Sequence, residues 1–122
     1  MSVASIAIAG TQTVVGLVGL LAGGAKVTHQ EQQVDEFERY GYPQWFRIVT
    51  GLTEVFAGIL LLAGLLWRPE ASLVGGIVFS TAMVGAVVTH LRINDPLQKI
   101  GVPVVLLVLT VGLLAVQNAV VL

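Results

Sequence analysis

Four long apolar blocks, separated by two polar stretches and one tight turn, set the organisation of this chain. The blocks run over about Val3 to Val27, Gln44 to Trp67, Ala71 to Leu91 and Pro103 to Leu122. Each is long enough to cross a hydrocarbon layer as a helix, which takes about 20 residues. The pattern predicts an all-α, antiparallel four-helix transmembrane bundle. Residues 28–43 are the one strongly polar segment. Val34 and Phe37 share a face there among acids and glutamines, which predicts a short helix lying at the membrane interface. Gly41 is placed to end it, and Pro43 suits the first turn of the next helix. Arg68-Pro69-Glu70 folds the second and third spans into a hairpin. Asn94-Asp95-Pro96 makes the next turn, and Leu97 to Val102 form a short interfacial lead-in to the last span.

Trp45 and Trp67 bracket the second span at a separation of about 33 Å by helical rise. That is close to the hydrocarbon thickness, so both suit aromatic belts. Small residues recur on the helix faces. Gly16, Gly19 and Gly23 lie along the first span, and Gly51 and Gly58 lie on the second. The third carries Ser72, Gly76 and Ser80 on one line and Thr81, Gly85 and Thr89 on another. Such lines let helices approach closely in lipid, where packing drives association.

Composition sharpens the picture. Hydrophobic residues make up 56% and charged residues 11%, with a mean hydropathy of +0.91. The charge is concentrated in residues 26–47 and 92–99. At 122 residues this is one transmembrane domain, residues 1–122. The first block lacks a basic leader and a defined cleavage site, so it is expected to be a retained helix. A net charge of −1 without basic runs excludes a nucleic-acid partner. With no cysteine, thiol chemistry and thiolate metal sites are excluded. Lys26, Arg39, Arg47, Arg92 and Lys99 fall on the side of the polar loops, against Arg68 alone on the other. The charge bias predicts that the loops joining spans one to two and three to four are cytoplasmic, and that both termini are outside.

Candidate chemistry centres on the second span. Arg47, Gly51, Glu54 and Gly58 follow one another at helical spacing, forming a charged and small-residue stripe on an apolar rod. Counted from Trp45, Glu54 lies about 13 Å deeper. A carboxylate at that depth costs on the order of 3 kcal/mol and needs a compensating group. Lys26 is the basic group best placed to reach it, with Arg47 and His90 forming an upper layer and Arg92 beyond. Two readings of this cluster stand: a polar pocket for a small ligand such as a quinone head group, or a structural clamp that holds the bundle in register.

Gly24-Ala-Lys-Val-Thr-His29 and Gly85-Ala-Val-Val-Thr-His90 match at five of six positions, a pattern that hairpin duplication or coincidence would each produce. The two histidines lack tight ligand spacing, so no metal site is expected. Nor do the residues offer a haem-ligand pair, a phosphate loop or a Ser-His-Asp arrangement.

Several short motifs occur together: Gly24-x-Lys26 near the end of the first span, Phe37-Glu-x-x-Gly41-Tyr-Pro before the second, the Arg47 to Gly58 stripe, and Thr89-His90-Leu-Arg92. In this combination the chain resembles the DoxX-like family of small four-helix membrane proteins. The resemblance implies the four-helix membrane fold and no single reaction. Family relatives include subunits of a thiosulfate:quinone oxidoreductase, redox-stress components and distant receptor-assembly chaperones. The expectation is an accessory or subunit protein, not a complete enzyme alone, binding a quinone or lipid near Glu54. The alternatives are an assembly partner of other membrane proteins, acting through the small-residue faces, and a small transporter or proton path. The expected partners are the bilayer, a lipophilic ligand, and another membrane protein or a second copy of this chain.

Overall fold

The computed structural model describes the backbone of residues 2–121 and the side chains of residues 2–117. Its order is α1 (Val3–Val27), α2 (Glu31–Tyr40), α3 (Gln44–Leu66), α4 (Pro69–Arg92) and α5 (Leu97–Val121). α1, α3, α4 and α5 are the four helices long and apolar enough to span a membrane, and they pack as a bundle in that cyclic order. The short α2 lies across one end, here called the α2 face. The α3–α4 hairpin marks the opposite end. α1 and α4 run towards the α2 face, and α3 and α5 run away from it. Leu122 and the side chain of Asn118 lie outside the described residues.

Local chemistry explains the boundaries. Ser2 caps α1, its Oγ accepting from the Ser5 amide at 3.0 Å. Gly41 ends α2 in the left-handed region at φ 82°, as its missing Cβ allows. Pro43 is the N-cap of α3. α4 starts at Pro69, earlier than the expected Ala71, because proline fits the first helical turn. The expectation for the last span is corrected. Leu97 to Val102 are not a separate lead-in, and one helix runs from Leu97 straight through Pro103. Proline there removes one backbone bond, freeing the Lys99 carbonyl near the polar end of α5, where water can satisfy it.

α1 and α3 approach backbone to backbone. A Cβ on Gly23 would lie 2.5 Å from the Gly51 oxygen, and one on Gly58 would lie 2.6 Å from the Gly16 oxygen. One on Gly19 would meet the Glu54 carbonyl at 2.9 Å. α3 and α4 close similarly at their hairpin through Gly75, and Gly76 makes room for Leu114 of α5. Ser80 is half-buried with an unpartnered Oγ. Gly85, expected to pack a helix, does not: it is exposed, and a Cβ there meets nothing within 4 Å.

The apolar core of Val15, Ala57, Leu61, Phe79, Met83 and Leu113 fills the hairpin half of the bundle. A buried polar knot sits beyond it. Gln12 donates to the Leu61 carbonyl at 2.6 Å and to Ser72 Oγ at 2.5 Å, while Gln117 donates to Gln12 Oε1 at 2.6 Å. Four helices are thus joined at one point by hydrogen bonds from polar side chains within the bundle.

The α1–α3 contact yields a test. Gly51→Val should cost about 3 kcal/mol through overpacking against main chain. The control is Gly10→Val, whose Cβ meets nothing within 4 Å. Equal thermal midpoints for the two variants in detergent would contradict the close approach.

Candidate functional site

The half of the bundle nearer α2 is hollow. A chamber of about 940 Å³ lies among α1, α3, α4 and α5, roofed by α2. Phe79 and Met83 bound it on the core side, and Val18, Val78 and Leu106 form much of its apolar wall. Glu54 and Lys26 are set into that wall.

Helix direction brings these two together. Side chains lean towards the N-terminus of their own helix. α1 and α3 are antiparallel, so Lys26 leans down into the bundle while Glu54 leans up towards the α2 face. Lys26 Nζ lies 3.1 Å from Glu54 Oε1 and donates to Oε2 at 3.2 Å. The Glu54 side chain is 4% exposed and that of Lys26 16%. The ammonium has three protons and the two carboxylate oxygens occupy at most two of them, so one donor is left over from the pair.

Arg47 takes a different part from the one its position in the stripe suggests. It is buried and, among the described residues, has no acidic partner. Its Nε donates to Gln44 Oε1 at 2.7 Å, one Nη donates to the Lys26 carbonyl, and the other meets His29 Nδ1 at 3.1 Å. The Lys26 carbonyl is one of the last in α1, with no intrahelical donor. Arg47 therefore caps the negative end of α1 from a neighbouring helix. His29, in the left-handed region at φ 62°, completes the arrangement. The expected upper layer of Arg47 with His90 does not form, because Arg47 is drawn to the Lys26 carbonyl at the end of α1 and to His29 beyond it.

His90 and Arg92 belong to a second cluster, which ties α2 to the turn between α4 and α5. His90 Nδ1 and Asp95 Oδ2 are 2.5 Å apart. Arg39 of α2 donates to Asp95 at 2.6 and 3.1 Å and to Glu36 at 2.7 and 3.2 Å. Lys99 reaches Glu36 at 3.4 Å. Arg92 donates to the Tyr40 carbonyl at 2.5 Å and sits over the Tyr42 ring, whose hydroxyl lies 2.9 Å from Thr89 Oγ1. Phe37, Tyr40, Tyr42 and Phe46 pack edge to face or tilted beneath these groups. The repeated sequence phrase leaves one shared trace: Thr28 and Thr89 each donate to the glycine carbonyl four residues back, at 2.7 and 2.8 Å. Its two histidines go to different partners.

Asp95, Glu36, Arg39 and Gln12 escape the sequence reading. The first three sit in a turn and a polar helix, where charges are usually solvated. Gln12 had a signal, being a lone amide inside an apolar span. Among the described residues, no group of three or more His, Cys, Asp or Glu side chains comes together as metal ligands do.

The tether has a defined acid response. The Arg39 guanidinium, helped by His90, holds Asp95 down to about 2, and Arg39 also lowers Glu36. Burial pushes Tyr40 up. A carboxyl depressed on folding adds stability that is present above its ordinary value of about 4 and is lost as pH falls through the folded value. In a Trp67→Phe protein, Trp45 reports on the α2–α3 junction. Its fluorescence should stay flat from neutral pH to about 4 and change between about 4 and 2. Asp95→Asn should shift the signal already at neutral pH. A transition centred above about pH 5 would assign the tether to another group.

Comparison with known proteins agrees with this architecture. A model of the DoxX-like family matches residues 10–113. The chain is 37% identical over 75 residues to the uncharacterized protein YdgD of Bacillus subtilis, an alignment covering 61% of this chain. The chain spans 65% of that relative's length. No solved structure matches. With four spanning helices and a family match over most of its length, this chain is a multi-pass membrane protein belonging to the DoxX-like family.

Proposed function

We propose that this protein holds a small lipophilic ligand, a quinone or a lipid, in the chamber beside Glu54, and acts as an accessory or subunit protein. The observation that carries this reading is the hollow half of the bundle. A volume of about 940 Å³, apolar on most sides and containing one intramembrane ion pair, has the character of a ligand site. A clamp alone needs the Lys26–Glu54 pair but not the space next to it. The remaining Lys26 proton suits a carbonyl, carboxylate or phosphate oxygen on the ligand. The alternative of an assembly partner draws on the small-residue faces of the first and third spans. Gly16, Gly19, Gly23 and Gly76 are used inside the bundle, which leaves such a partner the exposed Thr81 and Gly85 line of α4.

The test separates binding from stability. Lys26→Met leaves a buried carboxylate unpaired and should destabilise by about 3–5 kcal/mol, while Lys26→Met with Glu54→Leu should restore most of that loss. Native mass spectrometry of protein from its own membranes should then show a bound amphiphile in the wild type. Its occupancy should fall about tenfold in the folded double variant, the effect of losing about 1.4 kcal/mol of head-group binding. Equal occupancy in both proteins would leave only the clamp.

The charge bias of five basic residues supports a cytoplasmic α2 face. In this cysteine-free chain, a single cysteine at Gln98 should be shielded from an impermeant maleimide in right-side-out vesicles, and one at Ser2 should be labelled. The opposite result would invert the protein.

A further inference from the structure

The chamber is not sealed from the bilayer. Next to their hairpin, α3 and α4 touch closely: a Cβ on Gly75 would lie 2.8 Å from Leu60 Cβ and 2.9 Å from the Ala57 oxygen. The helices are antiparallel, so moving from Gly75 to Gly85 along α4 corresponds to moving from Leu60 to Thr50 along α3. At Gly85 a Cβ meets nothing within 4 Å. Gly85 is exposed and sits on the outward flank of α4, about 80° round the helix from Gly75. Val49 on α3 and Ile77 and Val88 on α4 line the chamber, yet are 46%, 53% and 56% exposed. Residues that both line a cavity and face outward mark its opening.

The rim of this opening is apolar in effect. Thr53 and Thr81 lie on it, but Thr53 Oγ1 donates to the Val49 carbonyl at 2.9 Å and Thr81 Oγ1 to the Ile77 carbonyl at 2.8 Å. With both hydroxyl protons committed to their own helices, neither Thr53 nor Thr81 offers a free donor to a passing solute. Thr53 neighbours Glu54, so the opening meets the acyl-chain layer, about 12 Å below the level of Trp45 by helical rise. The water-facing end is covered by α2, which the Arg39–Asp95 and Lys99–Glu36 pairs hold down.

We propose that the gap between α3 and α4 is a lateral portal through which a chain-bearing amphiphile enters from the bilayer. Its polar head reaches the Lys26–Glu54 pair, and its apolar chain stays in the gap between Val49 and Val88. The proposal rests on the chamber being a ligand site, and adds the route and the need for a chain. It also explains why Gly85 is free of packing: a larger residue there would project into the passage.

The probe is a fatty acid with a diazirine midway along its chain, added to the full-length protein in phosphatidylcholine vesicles. After irradiation, peptide mapping should show several-fold more adduct at Val49, Thr53, Thr81 and Val88 than at the comparably exposed Leu17 and Val108 of α1 and α5. Gly85→Trp should abolish that enrichment and slow fatty-acid uptake several-fold, while Gly10→Trp, also in open space, should not. The wild-type adduct map stands even if the tryptophan variant misfolds. Adducts spread evenly over the lipid-facing surface, adducts concentrated near Gln33 and Lys99, or uptake unchanged in a folded Gly85→Trp protein would each overturn the portal. In those cases the chamber reading survives if the Lys26→Met/Glu54→Leu protein still loses its native amphiphile. If no variant differs from wild type in occupancy, the chamber and the portal fall together.

Discussion

Main-chain contact between α1 and α3 is the constraint from which the rest of this structure follows. Lipid gives no hydrophobic reward for bringing two helices together, so close van der Waals contact must supply it. The interleaved glycines of α1 and α3 allow that approach. Once the two axes are this near, Lys26 and Glu54 have little choice of partner, since their side chains lean towards each other across the contact. The same proximity brings the Arg47 guanidinium onto the end of α1.

The bundle is built unevenly along its length. Near the hairpin, small residues, a packed core and the Gln12 knot make it solid. Towards α2, α1 and α3 stay in contact but the chamber opens between them and α4 and α5, and cohesion passes to polar groups outside the hydrocarbon layer. The Arg39, Asp95, Glu36 and Lys99 network does at the surface what packing does at the other end. A cavity inside a four-helix bundle needs such a second attachment, or the helices would close over it.

The spans, the interfacial helix and the hairpin were legible because lipid imposes strict demands on length and polarity. Glu54 and Lys26 could be paired by counting depth, since rise per residue is fixed. The placement of Arg47 was not legible, because depth says nothing about which carbonyls lack a donor. His90 looked level with Arg47, but level groups on different helices can face different ways. Asp95 was hidden in an ordinary turn motif, and its role depends on α2 folding back over it. Pro103 read as a helix start, although a helix already under way near water can carry it. The chamber itself has no sequence signature, because empty space is a property of how helices diverge.

The double hold on Lys26 divides the molecule mechanically. Its ammonium is bound to Glu54 and its carbonyl to Arg47, two points on α3 that lie about two turns apart. A residue fixed at both its main chain and its tip cannot let its helix slide or pivot against the other without breaking charge-assisted bonds inside a low-dielectric layer. α1 and α3 therefore behave as a single beam. Any breathing that changes the volume of the chamber falls to α4 and α5, which swing from the hairpin against a fixed wall.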